Sequence, residues 1–135
     1  MESDKRADDG GARLRADLAA ALKLAIRARD TVAASALRTT MSAIANAEAV
    51  ATGTQPKTAA SSAHFAAAVA GLGAAEVARR RLSAADVHAI VRAEIAEREQ
   101  AAGQYAANGL STEAERLHTE AGILTAVIAA ADLDG

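Results

Sequence analysis

The chain has no cysteine, no tryptophan, a single proline and only two aromatic residues, Phe65 and Tyr105. Without cysteine there is no disulfide, no thiolate metal site and no cysteine nucleophile. With Pro56 as the only proline, almost nothing interrupts a helical backbone. The scarcity of aromatics removes the stacking platforms on which readers of single-stranded nucleic acid depend. Long apolar runs are missing too: the longest uncharged stretch, 58–75, is mostly Ala, Ser and Gly, too weakly apolar to span a bilayer. The first residues carry Glu2, Asp4, Lys5, Arg6, Asp8 and Asp9, and no apolar stretch of the kind a secretory signal needs follows them. A soluble, cytoplasmic protein with no membrane partner is expected.

What the chain has in excess is alanine. About 40 of its 135 residues are Ala, whereas Leu, Ile and Val together number about two dozen, so the 51% hydrophobic content is small rather than bulky. Alanine is the best helix former because it loses no side-chain entropy. The net charge of −2 is unevenly spread: residues 1–62 carry more Lys and Arg than Asp and Glu, and residues 63–135 are acidic.

Apolar periodicity resolves four helical segments. From about Ala12, Leu14, Leu18, Leu22 and Ile26 recur every four residues with Ala21 and Ala25 beside them. Asp30 stands where a new N-cap would, followed by Ala33, Leu37, Met41, Ile44 and Ala47. No Gly or Pro accompanies Asp30, so one continuous helix also fits the letters; a hairpin is favoured because two weak stripes need each other. Residues 52–81 read as a linker with short helical turns, broken by Gly53, Pro56, Gly71 and Gly73. Ser83 and Asp86 form a capping box, with Leu82 and Val87 as its hydrophobic staple, opening a helix striped by Val87, Ile90, Val91 and Ile95. Asn108-Gly109 stops that helix, and Thr112 with Glu115 predicts a second capping box ahead of Leu117, Ala121, Leu124 and Ile128. The expectation is an all-α protein: a charged tail (1–11), an amino-terminal helical hairpin (12–51), the linker (52–81) and a carboxy-terminal antiparallel hairpin (82–131). Because Ala buries so little, a second copy or a partner completing the core is a further expectation.

Chemistry is sparse. Glu115 and His118 make an E-x-x-H, but a carboxylate-bridged metal pair needs a second one, and Ala85 and Ser61 stand three residues before the other two histidines. Ser61, Ser62 and Lys57 resemble an amidase cluster only in letter content and read as linker. Glu94, Glu97, Arg98 and Glu99 read as a solvated face with i,i+4 support from Glu94 to Arg98. Arg13, Arg15, Lys23, Arg27, Arg29 and Arg38 could form a phosphate-facing surface, and Arg79–Arg81 a second one; any RNA contact would be to shape and backbone.

Two ordered blocks resemble the GatB/YqeY family. The stretch from Ala21, ALKLAIRARDTVAASALRTTMSAIANAE, carries an A-x-x-A-R-D turn, then A-L-R, then A-I-x-N-x-E. The stretch from Glu94, EIAEREQAAGQYAANGLSTEAERLHTEAGIL, carries E-I-x-x-R, an aromatic, Gly, A-E and E-x-x-I-L. Together they cover a little under half the chain, and the family's usual carboxy-terminal subdomain is not matched. The resemblance implies a YqeY-like helical accessory module, related to the tail of the tRNA-dependent amidotransferase B subunit, whose partner is tRNA or a translation-related protein. Its family label is carbon–nitrogen ligase with glutamine as amido-nitrogen donor. This chain has no ATP motif and no recognisable amidase set, so it is expected to be non-catalytic, with no cofactor and no small-molecule substrate. The residues matching or flanking the motifs are Arg27, Asp30, Arg38, Asn46, Glu48, Glu94, Arg98, Tyr105, Gly109 and Glu120. Asp30 and Gly109 also have structural readings as cap and turn, and Tyr105 as a packing residue. The alternative is a helical protein–protein interaction or homodimerisation protein that does not bind RNA.

Overall fold

In the computed structural model, which describes residues 2–51 and 82–134, the described residues form helices and the turns between them, with no strand. Four helices are described: α1 (Glu2–Arg27), α2 (Thr31–Ala51), α3 (Ala84–Ala107) and α4 (Ser111–Asp134). They pack as two antiparallel hairpins, α1 with α2 and α3 with α4, each helix touching the other three. The expected linker elements between Thr52 and Arg81, with the Arg79–Arg81 triplet, lie outside the described residues. No helix among the described residues is long and apolar enough to cross a membrane.

The two hairpins turn by the same device. Arg29 N–H donates to the Ile26 carbonyl at 3.1 Å and Asp30 N–H to the Ala25 carbonyl at 2.8 Å. Gly109 N–H likewise donates to Ala106 at 3.1 Å and Leu110 N–H to Tyr105 at 2.9 Å. Both are Schellman motifs, in which a left-handed residue lets the chain close the last turn and leave the helix at once. That residue is Gly109 (φ 79) in the second hairpin and Arg29 (φ 59) in the first. The residue after it serves as the start of the next helix: Asp30 Oδ1 accepts from Ala33 N–H at 3.0 Å, and its carbonyl from Ala34 N–H at 3.0 Å. Leu110 accepts from Ala114 N–H at 3.1 Å in the same way. The hairpin at Asp30 is therefore real although no glycine announces it.

Three expectations are corrected. The helix after Gly109 starts at Ser111, so Thr112 stands inside the first turn and not at a cap; the Schellman reversal delivers the chain into the helix two residues sooner than a Thr112 cap allows. α1 runs back to Glu2, so the charged segment before Ala12 continues the helix instead of preceding it. Gly11, within that helix, is buried beside the start of α3, where an added methyl would meet Leu82, Ala84 and Val87 at an ordinary contact distance of 3.5 Å. Ile26 is 50% exposed, although it closes the expected stripe. Each step of four residues overshoots a 3.6-residue turn by about 40°, so by the third step the side chain has rotated off the face that Leu14 and Leu18 define.

The capping box of α3 is as expected: Asp86 N–H donates to Ser83 Oγ and Ser83 N–H to Asp86 Oδ2, both at 3.1 Å. The core gathers Leu14, Leu18, Leu37, Ile44, Val87, Val91, Leu124 and Ile128. Seven of the fifteen buried apolar side chains are Ala, including Ala33, Ala34 and Ala36 on one turn of α2, so the helices meet across methyl groups. The one buried hydroxyl in that region, Thr40, donates to the Ala36 carbonyl at 2.9 Å and so leaves no polar atom unmet.

The two turns give opposite expectations. A non-glycine residue in the left-handed region costs roughly 1 kcal/mol relative to glycine. Arg29→Gly should therefore raise the unfolding free energy by about 0.5–1 kcal/mol, and Gly109→Ala lower it by about 1 kcal/mol or more. Urea titrations followed by circular dichroism check both; an Arg29→Gly chain less stable than the parent would contradict the strain argument.

Candidate functional site

The charged residues divide into those used inside the fold and those left outside it. Arg98, on α3, is only 8% exposed. Its Nε donates to Glu120 Oε1 of α4 at 2.9 Å, and its Nη1 donates both to Glu94 Oε1 at 2.8 Å and to the Glu94 carbonyl at 3.0 Å. Burial works against the charge on the guanidinium, but its hydrogen bonds to Glu94 and Glu120 and their negative charges outweigh that, so its pKa lies above the ordinary arginine value. The guanidinium thus stays charged wherever the chain is folded. The expected i,i+4 pair of Glu94 with Arg98 is present, but not on the wet face: with Glu120 it forms a triad in which Arg98 is buried and both glutamates are half-buried, while Glu97 and Glu99 are exposed.

On the other hairpin, Arg15 pairs with Glu48, joining α1 to α2 near Met41 and Ile44. This removes Arg15 from the expected phosphate-facing set. The rest of that set, Arg13, Lys23, Arg27, Arg29 and Arg38, is exposed, and among the described residues none of the five has an ion-pair or hydrogen-bonding side-chain partner. Residues 12–51 hold six Lys and Arg against three Asp and Glu, and residues 2–11 of α1 add two against four, so the first hairpin is nearly balanced with its basic residues concentrated from Arg13 to Arg38; residues 82–134 hold three against nine, so the second hairpin is strongly acidic.

Beside the first turn lies an open cleft of about 380 Å³. Ala25 and Ile26 of α1 and Ala34 of α2 make its apolar wall, and Arg29, Asp30 and Arg38 border it. Asp30, Ala34 and Arg38 are four residues apart on α2 and so share one face of that helix. Arg27 is exposed at the end of α1 and does not line the cleft.

Of the other expected site residues, Asn46 is exposed on α2, Glu48 is half-buried in its pair with Arg15, and Gly109 makes the second turn. Tyr105, expected to pack beside its loop, is 40% exposed; its carbonyl, not its ring, holds the turn. It lies in a stretch from Gly103 to Glu113 in which every residue is exposed, with Leu110 also uncovered. The structure thus brings Glu94, Arg98 and Glu120 together, sets Asp30 and Arg38 on one cleft, and leaves Asn46 and Tyr105 apart. Glu115 and His118 are both exposed, and no group of three His, Asp or Glu suited to a metal ion occurs among the described residues. What sequence reasoning missed was the place of Arg29: nothing in the letters marks an arginine as left-handed. The Arg15 pairing had a signal, an acidic residue on a neighbouring helix facing a basic one, but not a register.

Comparisons with protein-family models, curated proteins and solved structures gave no match.

The triad makes a sharp stability test. Truncating one partner of a buried ion cluster leaves uncompensated charge, whereas replacing the whole cluster with apolar groups can be neutral. Arg98→Ala should lower stability by about 3 kcal/mol. The triple change Glu94→Met, Arg98→Met, Glu120→Leu should lower it by less than about 1 kcal/mol or raise it. Denaturant unfolding of both chains compares them; equal losses would mean that the triad is not buried as described.

Proposed function

We propose that this chain is a non-catalytic helical binding module of the YqeY-like kind, acting in the cytoplasm on a structured RNA such as tRNA. The observation that carries the reading is the set of five exposed basic residues on α1, the first turn and α2, without an ion-pair partner among the described residues, in a chain whose other hairpin is strongly acidic. A duplex or folded RNA is recognised through phosphates and shape, for which guanidinium and ammonium groups suffice without aromatic platforms. The motif residues Glu94, Arg98 and Glu120 support a scaffold role, because their charges are spent on one another and not offered to a substrate. The acidic hairpin repels nucleic acid and so orients the complex with α1 and α2 towards it. Glutamine-dependent ligase chemistry is not part of the proposal for this chain.

The second reading, a protein-binding or homodimerising module without RNA, is favoured by exposed apolar side chains: Leu24 (65%), Val50, Tyr105 and Leu110.

Filter binding of bulk tRNA at two salt concentrations separates the two. The RNA reading expects binding that falls steeply with salt, with a log–log slope of about −0.7 to −0.9 per phosphate contact. Lys23→Ala with Arg27→Ala should reduce that slope by about 1 to 2 and weaken binding to all tRNAs alike. No retention at low salt would sink the RNA reading, and a dimer by light scattering would then select the second.

A further inference from the structure

We propose that the cleft at the first turn is a seat for a phosphate monoester carried on a compact, hydroxylated body of nucleoside size. Three observations meet there. First, Arg29 and Arg38 border the cleft without an ion-pair partner among the described residues, one from the turn and one from α2. Two forked guanidinium groups facing one opening match a doubly charged terminal phosphate better than a singly charged diester. Second, Ala25, Ile26 and Ala34 supply an apolar wall, on which Ile26 stays half exposed. The volume of about 380 Å³ lies at the small end of ligand sites. Third, Asp30 commits Oδ1 to the Ala33 N–H and can accept a ligand hydroxyl with its other oxygen, as a ribose would offer.

The backbone of Arg29 ties these together. The matching turn of the other hairpin uses glycine, the least strained choice, while this one keeps an arginine at φ 59 and so holds a cation on the rim of the cleft. Strain kept at a position where glycine would relieve it points to a use for the side chain. The inference stands on the cleft and not on the tRNA reading.

The full-length chain is titrated with adenosine and uridine monophosphates, and with an oligoribonucleotide bearing either a 5′-phosphate or a 5′-hydroxyl, following backbone amide shifts by NMR. Saturable shifts of Ile26, Asp30, Thr31 and Ala34 are expected. Arg38→Gln and Arg29→Gly should each weaken binding at least tenfold, and because Arg29→Gly should melt higher than the parent, its loss cannot come from unfolding. Free monophosphates binding as well as the 5′-phosphorylated oligonucleotide identifies a small-molecule source, and tighter binding of that oligonucleotide than of its 5′-hydroxyl form identifies an RNA end; either supports the seat. No saturable shift with any phosphorylated probe, or an Arg29→Gly chain that binds like the parent, overturns it. Retention of tRNA without such shifts overturns the seat and leaves the RNA reading intact, whereas monophosphate binding without tRNA retention does the reverse.

Discussion

Alanine helices hold together only in company. Burying a methyl contributes about 0.8 kcal/mol, against roughly 1.5–3 for Leu or Ile, so no helix here could sustain its own conformational entropy in water. Stability has to come from the number of contacts, and that number grows only where backbones approach closely, as the buried Ala33, Ala34 and Ala36 allow. Close approach of consecutive helices in turn demands reversals that waste no residue. The Schellman turns at Arg29 and Gly109 meet that demand, each ending one helix and opening the next within three residues.

Apolar contacts of this kind slide easily, because one methyl is much like another. The ion clusters supply what alanine cannot. Arg98 reaches Glu120 across the hairpin only when α3 and α4 stand in one register, and a slip by one turn would leave a buried guanidinium facing Leu117 or Leu124. Arg15 with Glu48 fixes α1 against α2 in the same manner. Such pairs add little net stability over apolar replacements, but the penalty for mispairing them falls on every wrong alignment.

Much of this was legible in the letters. The Ser83–Asp86 box, the Asp30 cap and the Gly109 turn are local chemistry, fixed within a few residues, and the apolar stripes foretold the buried Leu14, Leu18, Val87, Val91, Leu124 and Ile128. What the letters withheld depends on three-dimensional register. Arg98 looks like a surface residue until Glu120 is brought opposite it, and Ile26 looks buried until the helical drift is followed. Arg29 hid most completely, since an ordinary residue takes the left-handed conformation only when its surroundings impose it. The cleft was invisible for the same reason: its members come from the end of one helix and the first two turns of the next.

Charge separation between the hairpins links build to binding. The acidic hairpin spends Glu94 and Glu120 on its own arginine and still presents Glu97, Glu99, Glu113 and Glu115 to solvent. In the first hairpin, among the described basic side chains, only Arg15 is spent in an ion pair. An anion approaching this molecule is therefore turned away from α3 and α4 and towards the basic residues between Arg13 and Arg38, and screening by salt limits that guidance to roughly 8–10 Å. Within that range, Arg29 of the first turn and Arg38 of α2 border one apolar opening. The residue that makes the reversal possible without glycine is then also one that meets the arriving charge, which accounts for an arginine standing where the other hairpin has glycine.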